Sequence, residues 1–184
     1  MNHIYLTEHG IDPATVKLID ILAAALPGAL KDGKVDAIVI SEPYAYQAMK
    51  SLPDEAVRLP QSKLYKETFN LVVMRSYSKG RPETLKKVLN AVDRAITFMK
   101  QNKTESIAVI KSNLKLEEDF FVSTWDDYVF KLSLDQSLLT ILEDEARWAI
   151  KNGFTDKTKI PNYLGYIYLD ALKGVKPEAV TIIQ

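Results

Sequence analysis

Cysteine is absent from all 184 residues. That excludes disulfides, cysteine–zinc sites and thiol nucleophiles together. It leaves the compartment open, because many periplasmic proteins also lack cysteine. Neither sign of charge is in excess, with Lys+Arg and Asp+Glu at 24 each. Nothing in that balance argues for a nucleic-acid partner or for an acidic, disordered chain. No apolar run approaches the roughly 18–20 residues that span a bilayer. The first ten residues, MNHIYLTEHG, lack a basic stretch followed by an apolar core, so they do not read as a signal peptide. Repeats, low-complexity tracts and Pro/Gly/Ser linkers are missing as well. So are a GxSxG elbow and a phosphate-cradling glycine loop. Catalysis therefore has little to stand on, and we expect a protein that is not an enzyme.

What is there is an ordinary globular composition, 47% hydrophobic and 26% charged, long enough for one generous domain or two small lobes. Residues 4–9 read as the end of a helix closed by Gly10. Residues 16–21 (VKLIDI) alternate and read as a strand. Residues 23–31 form a short apolar helix stopped by Asp32-Gly33. Residues 35–40 (VDAIVI) read as a strand buried on both faces of a parallel sheet. Residues 43–51 are helical, with Pro43 acceptable in the first turn. Residues 57–59 are a short strand, and residues 68–74 (TFNLVVM) the strongest β run further on.

The character then changes to helices. Over residues 82–102, Leu85, Val88, Leu89, Val92, Ala95, Ile96 and Met99 trace the stripe of a surface helix. Residues 104–112 give a shorter helix with Thr104 as its N-cap. Residues 117–130 are helical. Ser133-Leu134-Asp135-Gln136 resembles a capping box opening a helix that Gly153 closes. A last helix covers residues 161–173, and residues 180–183 are apolar enough to pack or pair. Strands alternating with helices in the first third argue for an α/β fold. The strands are too few for a complete sheet, so the chain reads like the later part of something larger.

Ser41-Glu42-Pro43 ends the apolar run of residues 35–40, where open α/β sheets bind ligands beyond the carboxyl ends of their strands. A carboxylate there is either a ligand contact or the anchor of a helix N-terminus. The Trp125-Asp126-Asp127-Tyr128 run reads as a solvated helix face with Trp125 in the core, and Trp148 also reads as core. His3 and His9, six residues apart, do not share a helical face, which argues against a metal site with Glu8. We expect no metal and no cofactor.

An ordered set of features runs along nearly the whole chain: Leu6, Gly10-Ile11-Asp12-Pro13 and Val16; Ala29-Leu30, Gly33 and Val35-Asp36-Ala37; Glu42-Pro43; Phe69-Asn70-Leu71-Val72-Val73; Arg81-Pro82-Glu83; and Leu132-Ser133-Leu134-Asp135. This set resembles the periplasmic substrate-binding proteins of nitrate/sulfonate/taurine-type ABC transporters. The resemblance implies a type II periplasmic-binding-protein fold, α/β with two lobes closing on a small ligand, here N-terminally truncated. Residues 1–68 would be most of the second lobe, 69–74 a crossover strand, and 75–184 the helical returning part of the first lobe. It also implies that Glu42-Pro43 faces the cleft. Ser41 takes a position often aromatic in the family, suiting a more polar or larger ligand. Tyr44 would wall the cleft, with Tyr46 more a packing residue. Ala24 and Ala25 would let backbone N–H groups approach an anion, or simply start a close-packed helix. The ligand would be nitrate, a sulfonate, taurine or a pyrimidine-like molecule, and the partner an ABC permease. A cysteine-rich motif found in pyrimidine-forming relatives of this fold cannot be present. The resemblance implies the periplasm, while the chain as written would stay in the cytoplasm. Two rivals remain: an interaction or sensing module that forms a homodimer through unfinished sheet edges, and an enzyme on the same fold.

Overall fold

The structure, a computed structural model, describes residues 2–60, 62 and 65–183, with the side chains of Asn2 and His3 excepted. Its helices are α1 (Asn2–Glu8), α2 (Leu26–Lys31), α3 (Tyr44–Ser51), α4 (Arg75–Gly80), α5 (Pro82–Gln101), α6 (Lys103–Leu114), α7 (Glu118–Thr124), α8 (Gln136–Lys151) and α9 (Leu169–Lys173). Short 3-10 turns precede α2 and follow α7. The chain divides into two compact units, Met1–Glu67 and Thr68–Gln184.

The expected α/β architecture is overturned. Among the described residues there is no strand, and the one β pairing is an isolated parallel bridge between Leu134 and Val180. Residues 16–21, 35–40, 57–59 and 68–74 are non-helical, as their composition suggests, but none joins a ladder. β-branched and aromatic residues favour a strand only where a neighbouring strand takes up the backbone N–H and C=O groups. Without that neighbour the apolar side chains stay in solvent: Val39 is 44% exposed and Val72 84%. The expectation that residues 35–40 are buried on both faces fails for the same reason.

In the first unit α1 ends at Gly10, whose φ of 68° is open to glycine at no steric cost. Gly33, at φ 64°, likewise turns the chain out of α2. Helices α2 and α3 pack on each other, and the buried residues on them are small, Ala29 and Ala48.

The second unit holds the larger core. Leu139 on α8, Leu169 on α9 and Ile182 near the C-terminus are buried together, with Leu134, Tyr163, Leu164, Ile167 and Val180 packed around them. The stripe expected over residues 82–102 does form one helix, α5, which packs on α9. Lys176 Nζ donates to Asp93 Oδ1 at 2.6 Å, tying the turn after α9 to α5. The pairing raises the Lys176 pKa, through the hydrogen bond first. The expected helix over residues 161–173 is broken into a 3-10 turn, Tyr163–Tyr166, and the short α9. Helix α7 is shorter than expected. It gives way to a 3-10 turn, Trp125–Asp127, in which Trp125 is buried and Asp126 and Asp127 are exposed. Lys103 reaches back to this turn, 3.0 Å from Asp126 and over the Trp125 ring.

Helix caps also differ from expectation. Asn102, not Thr104, stands at the N-cap of α6. At α8 the N-cap is Asp135, and Ser133 Oγ bonds its carboxylate (3.0 Å) instead of a backbone amide. The Asp135 carboxylate also accepts from Lys131 Nζ at 2.8 Å and from Thr181 Oγ1 at 3.4 Å. These contacts, Lys131 first, hold its pKa below the ordinary carboxylate value. The C-terminal stretch is drawn in at the same place: Leu134 N donates to Ala179 O (2.8 Å) and Thr181 N to Leu134 O (3.0 Å).

Candidate functional site

An α-helix leaves its first amides without an intrahelical partner, and a polar side chain just upstream can take one. At the start of α3 that side chain is Glu42. Its Oε2 accepts from the backbone N–H of Tyr46 at 2.9 Å. Its Oε1 lies 3.6 Å from Arg58 Nη2. The Glu42 side chain is only 12% exposed, against 43% for Arg58. The Glu42–Pro43 peptide bond is cis. Both oxygens of the carboxylate are thus engaged by the unit itself, one by the helix and one by a cation.

Around this carboxylate, Ser41 is exposed and Tyr44 half-buried as the first residue of α3. Ala24 and Ala25 are exposed in the 3-10 turn Ala23–Ala25 that feeds directly into α2. Because α2 packs on α3, all five positions belong to one small unit built on that helix pair. Ser41 and Glu42 come together through adjacency in the chain. Ala24 and Ala25 enter the same unit through helix packing alone. Arg58, the cation beside Glu42, went unremarked in the sequence, where nothing marks a pairing across an irregular stretch.

The first unit carries another fixed carboxylate. Asp32, the C-cap residue of α2, accepts from Lys34 Nζ at 2.9 Å, and that ammonium holds its pKa below the ordinary value. His9 is taken up locally: its Nδ1 lies 2.9 Å from Tyr5 O and its ring stacks on Tyr5 at 4.1 Å. The side chain of His3 lies outside the described residues. Among the described residues no group of three or more His, Asp or Glu side chains could hold a metal ion. No helix of the described residues is long and apolar enough to cross a membrane.

The second unit has an open groove of about 350 Å³ lined by Leu71, Val73, Met74, Tyr77, Leu85 and Val88. Apart from the Tyr77 hydroxyl its side chains are apolar, so it suits an apolar side chain and not a small anion. Sequence reasoning marked residues 68–74 as a strand and so missed the groove that they form with α4 and α5.

The model of the NMT1-like family matches residues 2–111, more than half of the chain, and the chain belongs to that family. The matched span contains Ala24, Ala25, Ser41, Glu42 and Tyr44. The family is one of nitrate/sulfonate/taurine-type binding proteins. No curated protein matches the chain, and no solved structure does.

Proposed function

We propose that this chain binds a small molecule as the solute-binding component of an ABC importer, and that it catalyses no reaction. The observation that carries the reading is the NMT1-like family match, which spans every residue of the candidate site. Ser41, Glu42 and Tyr44 at the start of α3, with Ala24 and Ala25 before α2, are the contacts. The Ser41 hydroxyl is exposed beside an engaged carboxylate, an arrangement that suits a polar ligand offering both donors and acceptors. Taurine, with an ammonium and a sulfonate, has that chemistry; nitrate, simple sulfonates and pyrimidine-like molecules are the comparison set. The partner is the permease of the importer, and the working compartment is the periplasm.

Isothermal titration with taurine, an alkanesulfonate, nitrate and a hydroxymethylpyrimidine tests this directly. We expect one of them to bind, and Ser41→Ala to weaken it by about tenfold, the loss of one neutral hydrogen bond. No heat with any of the four, or binding untouched by both Ser41→Ala and Glu42→Gln, removes these residues from the site. Turnover of a bound ligand that Glu42→Gln abolishes without affecting binding would make the protein an enzyme instead.

A further inference from the structure

The chain holds one Asn-Gly pair, Asn152-Gly153, and one Asp-Gly pair, Asp32-Gly33. Both stand at the C-terminal end of a helix. At the end of α8, Asn152 is the C-cap and Gly153 turns the chain at φ 73°. Phe154 N donates to Ala149 O (2.9 Å) and Gly153 N to Ile150 O (3.3 Å), the paired bonds of a Schellman motif. The Phe154 ring stacks on Trp148 at 4.9 Å and supplies the apolar contact of that motif. At the end of α2, Lys34 N donates to Ala29 O (2.9 Å) and Gly33 N to Leu30 O (3.0 Å) in the same pattern. The two ends differ in the side chain of the cap. Asn152 presents a neutral amide, whose Nδ2 donates to Trp148 O at 2.8 Å. Asp32 presents a carboxylate that the Lys34 ammonium holds at 2.9 Å and keeps ionised.

We propose that Asn152-Gly153 is a site of spontaneous deamidation that loosens the end of α8, and that Lys34 spares Asp32-Gly33 the same fate. Water supplies both the base and the final nucleophile. Hydroxide takes the Gly153 amide proton, and the nitrogen attacks the side-chain carbonyl carbon of Asn152. The new C–N bond closes a succinimide, and the side-chain nitrogen takes a proton from water and leaves as ammonia. Water then opens the ring at either carbonyl, giving aspartate or isoaspartate. Glycine permits the attack because it has no Cβ to crowd the nitrogen. Asn152 and Gly153 are exposed. Apart from the chain neighbours, nothing among the described residues lies within 4 Å of where a Gly153 Cβ would stand, so solvent reaches the amide. A carboxylate resists the same attack, since its carbon is electron-rich and its oxygen leaves only when protonated. Both reacting groups are engaged in the cap, Gly153 N with Ile150 O and Asn152 Nδ2 with Trp148 O, so the reaction proceeds through fraying of the last turn. The product sets a carboxylate at the negative end of the α8 dipole and deletes the donor to Trp148 O. Isoaspartate also lengthens the backbone by one carbon, which shifts Phe154 N away from Ala149 O. The site is separate from the one at the start of α3 and does not depend on it.

Ageing the full chain in mildly alkaline buffer, followed by peptide mapping, tests this. Fragmentation that distinguishes isoaspartate from aspartate locates the product. Asn152 should convert before any other asparagine, chiefly to isoaspartate, while Asp32 stays unchanged. In guanidinium chloride the rate at Asn152 should rise by about tenfold, because the cap no longer has to open. The variant Asn152→Asp shows the consequence without ageing. Its Gly153 and Phe154 amides should exchange with deuterium about tenfold faster than those of the parent, with the middle of α8 unchanged. Another asparagine reacting first overturns the proposal. So does isoaspartate forming at Asp32 as fast as at Asn152, or an Asn152 that stays intact in the folded chain after the unfolded chain has reacted completely. Parental exchange at Gly153 and Phe154 in Asn152→Asp would overturn the loosening of α8.

Discussion

Glu42 accepts a hydrogen bond from the backbone N–H of Tyr46, four residues on, at 2.9 Å. That contact makes the carboxylate part of the scaffold before any ligand arrives. It also separates two roles that substitution can tell apart. Glu42→Gln keeps an oxygen that can accept from Tyr46 and loses only the attraction to Arg58, so stability should change by less than about 0.5 kcal/mol. Glu42→Ala removes the acceptor and should cost about 1 kcal/mol, the ordinary worth of a helix cap. Urea titrations followed by far-UV circular dichroism check both. Equal losses for the two variants would show that the charge, not the acceptor, holds the start of α3.

Asp135 joins Lys131, Ser133 and Thr181, and so ties the start of α8 to the C-terminal stretch. Its native pKa is lowered, chiefly by the Lys131 hydrogen bond. A carboxyl group with a lowered native pKa contributes stability above its unfolded pKa, and that contribution is lost as pH falls through the native value. Asp135→Asn should therefore destabilise the protein at about pH 7, by about 1 kcal/mol. The gap between variant and parent should close as pH falls below the ordinary carboxylate range and through the lowered native value. Urea midpoints at several pH values give the comparison, and a gap independent of pH would assign the effect to shape and not to charge.

Much of the helical part was legible because periodicity is a local signal. The stripe from Leu85 to Met99 marks α5 whatever packs on it, and Gly33 and Gly153 end helices at positive φ. The apolar runs misled because a strand is a relation between two segments. Residues 35–40 and 68–74 have the composition of strands, yet Val39 and Val72 stand in solvent for want of a neighbour. Asp135 displaced Ser133 as the cap of α8 for a related reason. Lys131 and Thr181 converge on that carboxylate, and the approach of Thr181 comes from tertiary structure. At the candidate site, Glu42 beside a helix start could be read in two ways. The structure shows the carboxylate capping α3, while Arg58 beside it left no trace in the spacing.

Burial on α9, which packs on α5, should contribute strongly to the stability of the second unit. Leu172 is 3% exposed on α9, and truncating a fully buried leucine removes apolar contact and leaves a cavity. Leu172→Ala should cost about 3 kcal/mol. Leu71→Ala, at an exposed position, should cost less than about 0.5 kcal/mol in the monomer. Denaturation at low protein concentration separates the two. A cost at Leu71 rivalling that at Leu172 would mean the exposed segment is covered in solution.

Ser106 gives a prediction of opposite sign. It lies on α6 at 3% exposure, and its Oγ has no hydrogen-bond partner among the described residues. A buried hydroxyl without a partner has lost its hydration and received nothing in return. Alanine in the same place removes that cost, fits within the space of serine and favours the helix. Ser106→Ala should therefore raise stability, by about 1 kcal/mol. The same urea titration reads it as a later midpoint with an unchanged slope. A loss of stability would show that the hydroxyl is hydrogen-bonded in solution, to an ordered water or to a carbonyl of its own helix reached by rotating the side chain.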